Sequence, residues 1–237
     1  MRILGFDTAT SACSAALWQD GRILARRHEA MVRGQSEHLI PMVLEVMNEA
    51  GVEFPDLDLV AVTKGPGAFT GLRIGLAAAR GMALSGGFPC FGVTTFDAVA
   101  WAIPAEERQK GTLLVALDSR RADVFVQAYA DDLSPAGDAE AVLPEDLPAF
   151  ASRANRGSGP NGPVLVAGDA ADRSAEALQA GGAEVILSTA PGAPDAASVA
   201  ALAAQRWSAE MPPGPPGPLY LRPPDAKTPK NGGRLRP

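Results

Sequence analysis

GPGAFTGLRIG, residues 65–75, opens like a phosphate-binding turn and runs on into a helical stretch. It misses both standard phosphate patterns. A P-loop sets four residues between its glycines and then Gly-Lys-Ser/Thr, whereas here Leu72-Arg73 follows Gly71. A dinucleotide loop needs G-x-G-x-x-G, and counted from Gly65 the third glycine falls on Thr70. Pro66 also removes one backbone N–H that such a cradle would use. What remains is a tight turn entering a helix, with Thr70 as its expected cap and the general attraction of a helix start for anions. Phosphate binding at Gly65 and Gly67 and a purely structural turn are both open readings. Behind the turn, Gly71, Gly75, Ala79 and Ala83 recur every four residues and form a ridge of small side chains. That ridge either seats the helix on its own sheet or receives a second chain. Arg73 opposes the helix dipole, which calls for an acidic partner or for solvent.

Working outward, three strands are expected first, over Ile3–Phe6, Ala12–Trp18 and Arg22–Glu29, the last pair joined at Asp20-Gly21. A helix follows from a Ser36 cap to Ala50, with Gly51 as its stop. Its apolar residues Leu39, Ile40, Val43, Leu44 and Met47 keep helical spacing, and Pro41 sits near the first turn. Then come a strand over Leu57–Thr63, the quoted turn with its helix to about Leu84, a strand over Phe88–Val93 and a helix over Thr95–Ile103. The order βββαβαβα is that of a ribonuclease H-like unit. A second unit echoes it from Thr112. Leu4-Gly5-Phe6-Asp7 is matched by Val115-Ala116-Leu117-Asp118, and Cys13–Leu17 by Val124–Ala128. Strands over Val164–Ala167 and Val185–Leu187 and helices over Ala171–Ala180 and Ala196–Trp207 complete it, with Ser152–Pro163 as a polar loop. The expected division is residues 1–108, 109–210 and a Pro/Gly-rich tail, 211–237, in which Leu219-Tyr220-Leu221 could dock on the body.

The 237 residues suffice for one large or two small cores, and the net charge of −6 argues against a dominant nucleic-acid footprint. Cys13 and Cys90 stand far apart, so a disulfide framework is not expected. No apolar run reaches membrane-spanning length and no signal segment opens the chain, which reads as cytoplasmic.

Asp7 and Asp118 are the candidate catalytic or nucleotide-handling carboxylates of such a duplicated fold. The bland alternative is that each bonds the turn that follows it. His28 and His38 have no second ligand at metal spacing. H-E-x-x-H and G-x-S-x-G are both missing, so neither a metal site nor peptidase chemistry is expected.

DTAT at 7–10, GPGAFTGLRIGLAAARGMAL at 65–84, FGVTTFDAVA at 91–100, LDSRRADVF at 117–125 and YLRPPDAK at 220–227 together resemble the TsaB (YeaZ) family, a glycoprotease-like group by its historical label. The likeness is dense over the first half and thinner after residue 130. It implies a duplicated actin-like ATPase fold (α/β, two lobes). It also implies a role in forming N6-threonylcarbamoyladenosine beside the anticodon of tRNAs reading ANN codons. In that family the chemistry belongs to a catalytic paralogue, TsaD, and an ATPase subunit, TsaE, joins the assembly. The paralogue follows its Gly-Val with a helix carrying two histidines four residues apart that hold a metal. Set on this sequence, those positions are Thr95 and Val99, with Asp97 between them, and neither is a fit ligand.

The resulting expectation is a non-catalytic partner subunit with no cofactor, reaching tRNA only indirectly. Its helices near 36–50 and 70–86 would meet TsaD, or form a homodimer without it, through Leu39, Val43, Met47, Gly71, Arg73, Gly75, Ala79 and Ala83. An ATP-binding phosphotransferase using Asp7, Asp118 and the Gly65 turn, and a direct tRNA-binding module, stand as rivals.

Overall fold

The structure, a computed structural model, describes residues 1–154, 162–210 and 214–222. Three strands, β1 (Arg2–Asp7), β2 (Ala12–Gln19) and β3 (Arg22–Ala30), lead into helix α1 (Gln35–Ala50). Strand β4 (Leu59–Thr63), helix α2 (Phe69–Gly86), strand β5 (Cys90–Val93) and helix α3 (Thr95–Trp101) follow. A short helix, α4 (Ala105–Arg108), leads into a second series. Its strands and helices are β6 (Thr112–Asp118), β7 (Val124–Tyr129), β8 (Glu140–Val142), α5 (Leu147–Ala154), β9 (Val164–Ala167), α6 (Ala171–Ala180), β10 (Val185–Leu187) and α7 (Ala196–Arg206).

The strand orders carry the architecture. The first sheet runs β3-β2-β1-β4-β5 and the second β8-β7-β6-β9-β10, each the third, second, first, fourth and fifth strand of its series. In both, the first three strands pair antiparallel and the last two join in parallel through helices. The fold is therefore a ribonuclease H-like unit used twice. Register corrects one detail of the expected echo. Asp7 pairs with Ser14 and Asp118 with Val124, so Ser14, not Cys13, is the equivalent of Val124. The first turn is longer by one residue.

Each series lends its last helix to the other sheet. Phe96, Val99 and Ala100 of α3 pack with Leu113, Val115 and Leu117 of β6. Val199, Ala200 and Ala203 of α7 pack with Ile3 of β1 and Leu59 and Ala61 of β4. Each of the larger apolar side chains so buried contributes roughly 1.5–3 kcal/mol, which ties the two halves together through their cores.

Helix ends differ from expectation. Gly34, with φ near +101°, rather than Ser36 precedes α1, so Pro41 lies inside the helix with its side chain on the exposed face. Gly51 does close α1, in the left-handed conformation. Helix α5 takes in Ser152–Ala154 of the expected polar loop, and residues 155–161 of that loop lie outside the described residues. Of the tail, residues 214–222 are described. Leu219 N donates to Lys64 O at 2.6 Å, and Leu221 joins the second core. The remainder, 211–213 and 223–237, lies outside the description. No helix among the described residues is long and apolar enough to cross a membrane.

Candidate functional site

Strand β1 delivers Asp7 into the interior, with 0% of the residue exposed. Its Oδ1 accepts from Thr63 Oγ1 at 2.5 Å and from Ala9 N at 3.0 Å. Its Oδ2 is buried and has no partner among the described residues. Burial pushes the carboxyl up to about 7, against the pull of those two hydrogen bonds, and the charges of Asp195 and Asp169 push the same way.

The quoted turn lies directly on the Asp7–Thr10 turn. Ala68 N donates to Ala9 O at 2.7 Å, and Thr8 Oγ1 donates to Gly71 O at 2.7 Å. A Cβ on Gly67 would stand 2.2 Å from Ala9 O, and one on Gly71 would stand 2.0 Å from Thr8 O. These glycines exist so that two stretches of backbone can touch. The tail covers the same turn from outside, through Leu219. Thr70 is exposed inside α2 and caps nothing, the N-cap position being Ala68.

Asp118, the equivalent of Asp7, stands at the surface, with its side chain 33% exposed. Its Oδ1 accepts from Arg120 N at 2.9 Å, and the Arg120 and Arg173 guanidinium groups lie 3.6 and 3.8 Å from its oxygens. Arg120 also reaches Ser11 Oγ, bridging the two turns. Asp195 and Asp169, rather than Asp118, are the acids whose charge raises Asp7. A magnesium nucleotide, the ligand of the phosphotransferase reading, asks for free backbone donors and ionised carboxylates facing one opening. Here the glycine turn is filled by backbone, Asp7 is sealed inside, and Asp118 is matched by arginines. These residues do not fit that ligand.

Helix α3 begins at a Thr94 cap whose hydroxyl accepts from Asp97 N at 3.0 Å. Thr95 and Val99 are both fully buried, Val99 among the apolar side chains of the second sheet. Asp97 accepts from Tyr129 Oη and from Arg206, each at 2.8 Å. His28 Nδ1 lies 3.2 Å from Asp195 and His38 Nδ1 lies 3.4 Å from Glu29. Among the described residues, no group of three or more His, Cys, Asp or Glu side chains could hold a metal ion.

The family model for TsaD, tRNA N6-adenosine threonylcarbamoyltransferase, matches residues 28–170. A solved structure of YeaZ from Pseudomonas aeruginosa superposes with a TM-score of 0.70 at 28% identity, covering 93% of this chain and 99% of that one. The Escherichia coli tRNA threonylcarbamoyladenosine biosynthesis protein TsaB is 39% identical over 134 residues, 56% of each chain. This chain belongs to the TsaB/YeaZ family. An uncharacterized protein of Mycobacterium tuberculosis is 34% identical over 227 residues, 95% of this chain and 93% of that one. The match to the Escherichia coli TsaB, by contrast, spans about half of that protein's length.

Helices α1 and α2 of this TsaB-family chain place their residues differently from the sequence reading. Leu39, Val43 and Met47 are 1%, 2% and 6% exposed, packed on the chain's own first sheet. Gly71, Gly75 and Ala79 are buried too, the glycines against Thr8 and Ala79 in the same core. Those six positions face inward and cannot meet a second chain, a correction to the expected contact set. Ala83 is partly buried on the wall of a groove. Arg73 is exposed, but its partners are aromatic. Its guanidinium lies 3.7 Å from the Phe69 ring centre and its Nε donates to Tyr220 Oη at 3.3 Å, while Tyr220 stacks on Phe69 at 5.9 Å. The apolar residues that do face outward are Ile40, Leu44, Phe69 and Leu84, at 43%, 62%, 56% and 87% exposure. Sequence reasoning missed them as a set because helical periodicity marks the buried face first. Ile40 and Leu44 lay within the apolar spacing already noted for α1, and spacing alone does not say which of its residues face outward.

Proposed function

We propose that this chain is a non-catalytic accessory subunit in the formation of N6-threonylcarbamoyladenosine beside the anticodon of tRNAs reading ANN codons, and that it acts by pairing with a TsaD-like catalytic subunit. Kinship with proteins named TsaB supports the pathway. The observation that carries the pairing is the outward apolar set on two adjacent helices, Ile40 and Leu44 on α1 and Phe69 and Leu84 on α2. Four large apolar side chains left in water are a liability unless a partner covers them. A stable interface of about 1,600 Å² in total is within reach of two helices a side. In the absence of TsaD a second copy of this chain would cover the same face, giving a homodimer. A TsaE-like ATPase would join the assembly, in the cytoplasm, and tRNA would be reached through the partners, in keeping with the net charge of −6.

The test is co-purification with the TsaD of the same organism. Leu44→Glu and, separately, Leu84→Glu leave the melting curve of the isolated chain nearly unchanged, since neither side chain is in the core. Each weakens pairing by tenfold or more, on the order of 1–2 kcal/mol. Undiminished pairing in both folded variants would remove this surface from consideration. The phosphotransferase rival makes a different demand, micromolar binding of Mg-ATP by the chain alone. Calorimetry is expected to detect none.

A further inference from the structure

A groove of about 850 Å³ runs along the free edge of the first sheet, between β5, the C-terminal half of α2 and the end of α7. Its apolar walls include Leu84, Phe88, Phe91 and Trp207, and it holds two cations, Lys64 and Arg80. Neither cation has a carboxylate partner among the described residues, and Arg80 donates only to the carbonyl of Pro216, at 2.7 Å. The floor is a strand edge with backbone groups that have no partner among the described residues. In a parallel ladder, alternate residues turn their N–H and C=O to opposite neighbours. Pro89 O accepts from Val60 N and Val93 O from Lys64 N, so the residues between that alternate with them, Cys90 and Gly92, turn both groups away from β4. The tail at Gly214–Gly217 lines the same groove, and Pro216 lies close over Gly92, where a Cβ would stand 2.5 Å from that of Pro216. Among the described residues no backbone hydrogen bond joins the tail to Cys90 or Gly92.

From this juxtaposition we infer that β5 takes an added strand: an extended segment of another polypeptide, apolar on the face of Phe91 and Trp207 and acidic on the opposite face, beside Lys64 and Arg80. Each feature selects part of that occupant. Cys90 and Gly92 offer donors and acceptors at the spacing of a strand, which a compact small molecule does not match. The aromatic walls take alternate apolar side chains. The unmatched cations select for carboxylates and against a basic segment. This site lies along the sheet edge and shares only Leu84 with the outward face of α1 and α2, and it does not depend on pairing with TsaD.

The experiment uses the isolated full chain, labelled for amide resonances, and the peptide acetyl-Val-Thr-Val-Asp-Glu-amide as probe. Expected are saturable shifts at the Cys90 and Gly92 amides and slower hydrogen exchange at both. Affinity should fall about tenfold in the double variant Lys64→Glu, Arg80→Glu. Because Arg80 also holds the tail, Lys64→Glu alone is run beside it and should show a smaller fall in the same direction. Acetyl-Val-Thr-Val-Lys-Lys-amide should not bind. The inference is overturned if millimolar acidic peptide leaves both amides unmoved, or if the basic peptide binds as well. It is equally overturned if decanoate binds in the groove without protecting those amides and the peptide does not bind, since the occupant would then be a small anionic amphiphile.

Discussion

Asp7 and Asp118 end equivalent strands of the two sheets and live in opposite surroundings. Asp7 is sealed under a glycine turn, with one oxygen satisfied and the other without a partner among the described residues. Asp118 faces solvent and is matched by Arg120 and Arg173. The strand order is the same in both halves, so topology did not make this difference. The approaching helix did. In the first half, α2 meets the turn backbone to backbone, because Gly67 and Gly71 have no side chain to keep it away. In the second, the start of α6 seats closely on strand β6, with Ala170 N donating to Ala116 O at 3.2 Å. The helix reaches the turn after Asp118, however, through Arg173, whose long side chain donates to Asp123 O at 3.0 Å. A duplicated scaffold thus keeps its strand order, while the chemistry at a matched position is set by what packs against it.

The largest expected effect comes from forcing the first contact to resemble the second. In Gly71→Val, the new Cβ would stand 2.0 Å from the carbonyl oxygen of Thr8, an atom of a buried turn that cannot give way cheaply. A loss above about 4 kcal/mol is expected, read as failure to accumulate folded protein or as a collapse of the urea midpoint. Arg173→Ala, the matched change in the second half, should cost about 1 kcal/mol, because it removes partly exposed hydrogen bonds and opens no core. Similar costs for the two would mean that the close seat is not what distinguishes the halves.

Asp7 itself sharpens the comparison through pH. Its ordinary value of 3.8 is raised to about 7 in the fold. Between those values the folded chain keeps a proton that the unfolded chain has lost, so stability falls as pH rises from about 4 to about 7, and the full cost is present above 7. The ceiling on that cost is about 4 kcal/mol. Asp7→Asn keeps an acceptor for Ala9 N and Thr63 Oγ1 and carries no charge. It should gain on the wild type steadily between pH 4 and pH 8 in urea unfolding. A difference between the two proteins that does not vary with pH would rule out a sealed, partly protonated acid at this position.

Much of this fold was legible because its signals are local. The apolar strand ending at Asp7, the Gly51 stop and the spacing of Ala196–Arg206 each place an element without reference to the rest of the chain. Helix α5 escaped because Pro144 and Pro148 break the pattern. Pro148 stands in the first turn, where a proline is harmless to the helix, yet it reads in sequence as a loop. The exchange of α3 and α7 between sheets is a long-range arrangement that no local window reports. At the candidate site, the every-four spacing of Gly71, Gly75 and Ala79 was readable but its direction was not. Small residues permit close approach to any neighbour, and here the neighbour is Thr8 of the same chain. The outward residue Leu44 belongs to the same apolar spacing as Leu39 and Val43, and only burial separates it, like Leu84 of α2, from the core.

Asp118→Asn should give the smallest effect, and its smallness is informative. Asparagine still accepts from Arg120 N, so the turn keeps its shape and only the negative charge between two arginines is lost. Those arginines are 47% and 40% exposed, and pairs of that kind contribute between zero and about 1 kcal/mol. The loss should therefore stay under about 1 kcal/mol and shrink as salt is raised, because screening acts over roughly 8–10 Å at moderate ionic strength. Urea unfolding at low and high salt measures both. A salt-independent loss of several kcal/mol would mean that Asp118 is held as tightly as Asp7. The two turns would then differ in appearance only, and the covering helix would not be what sets them apart.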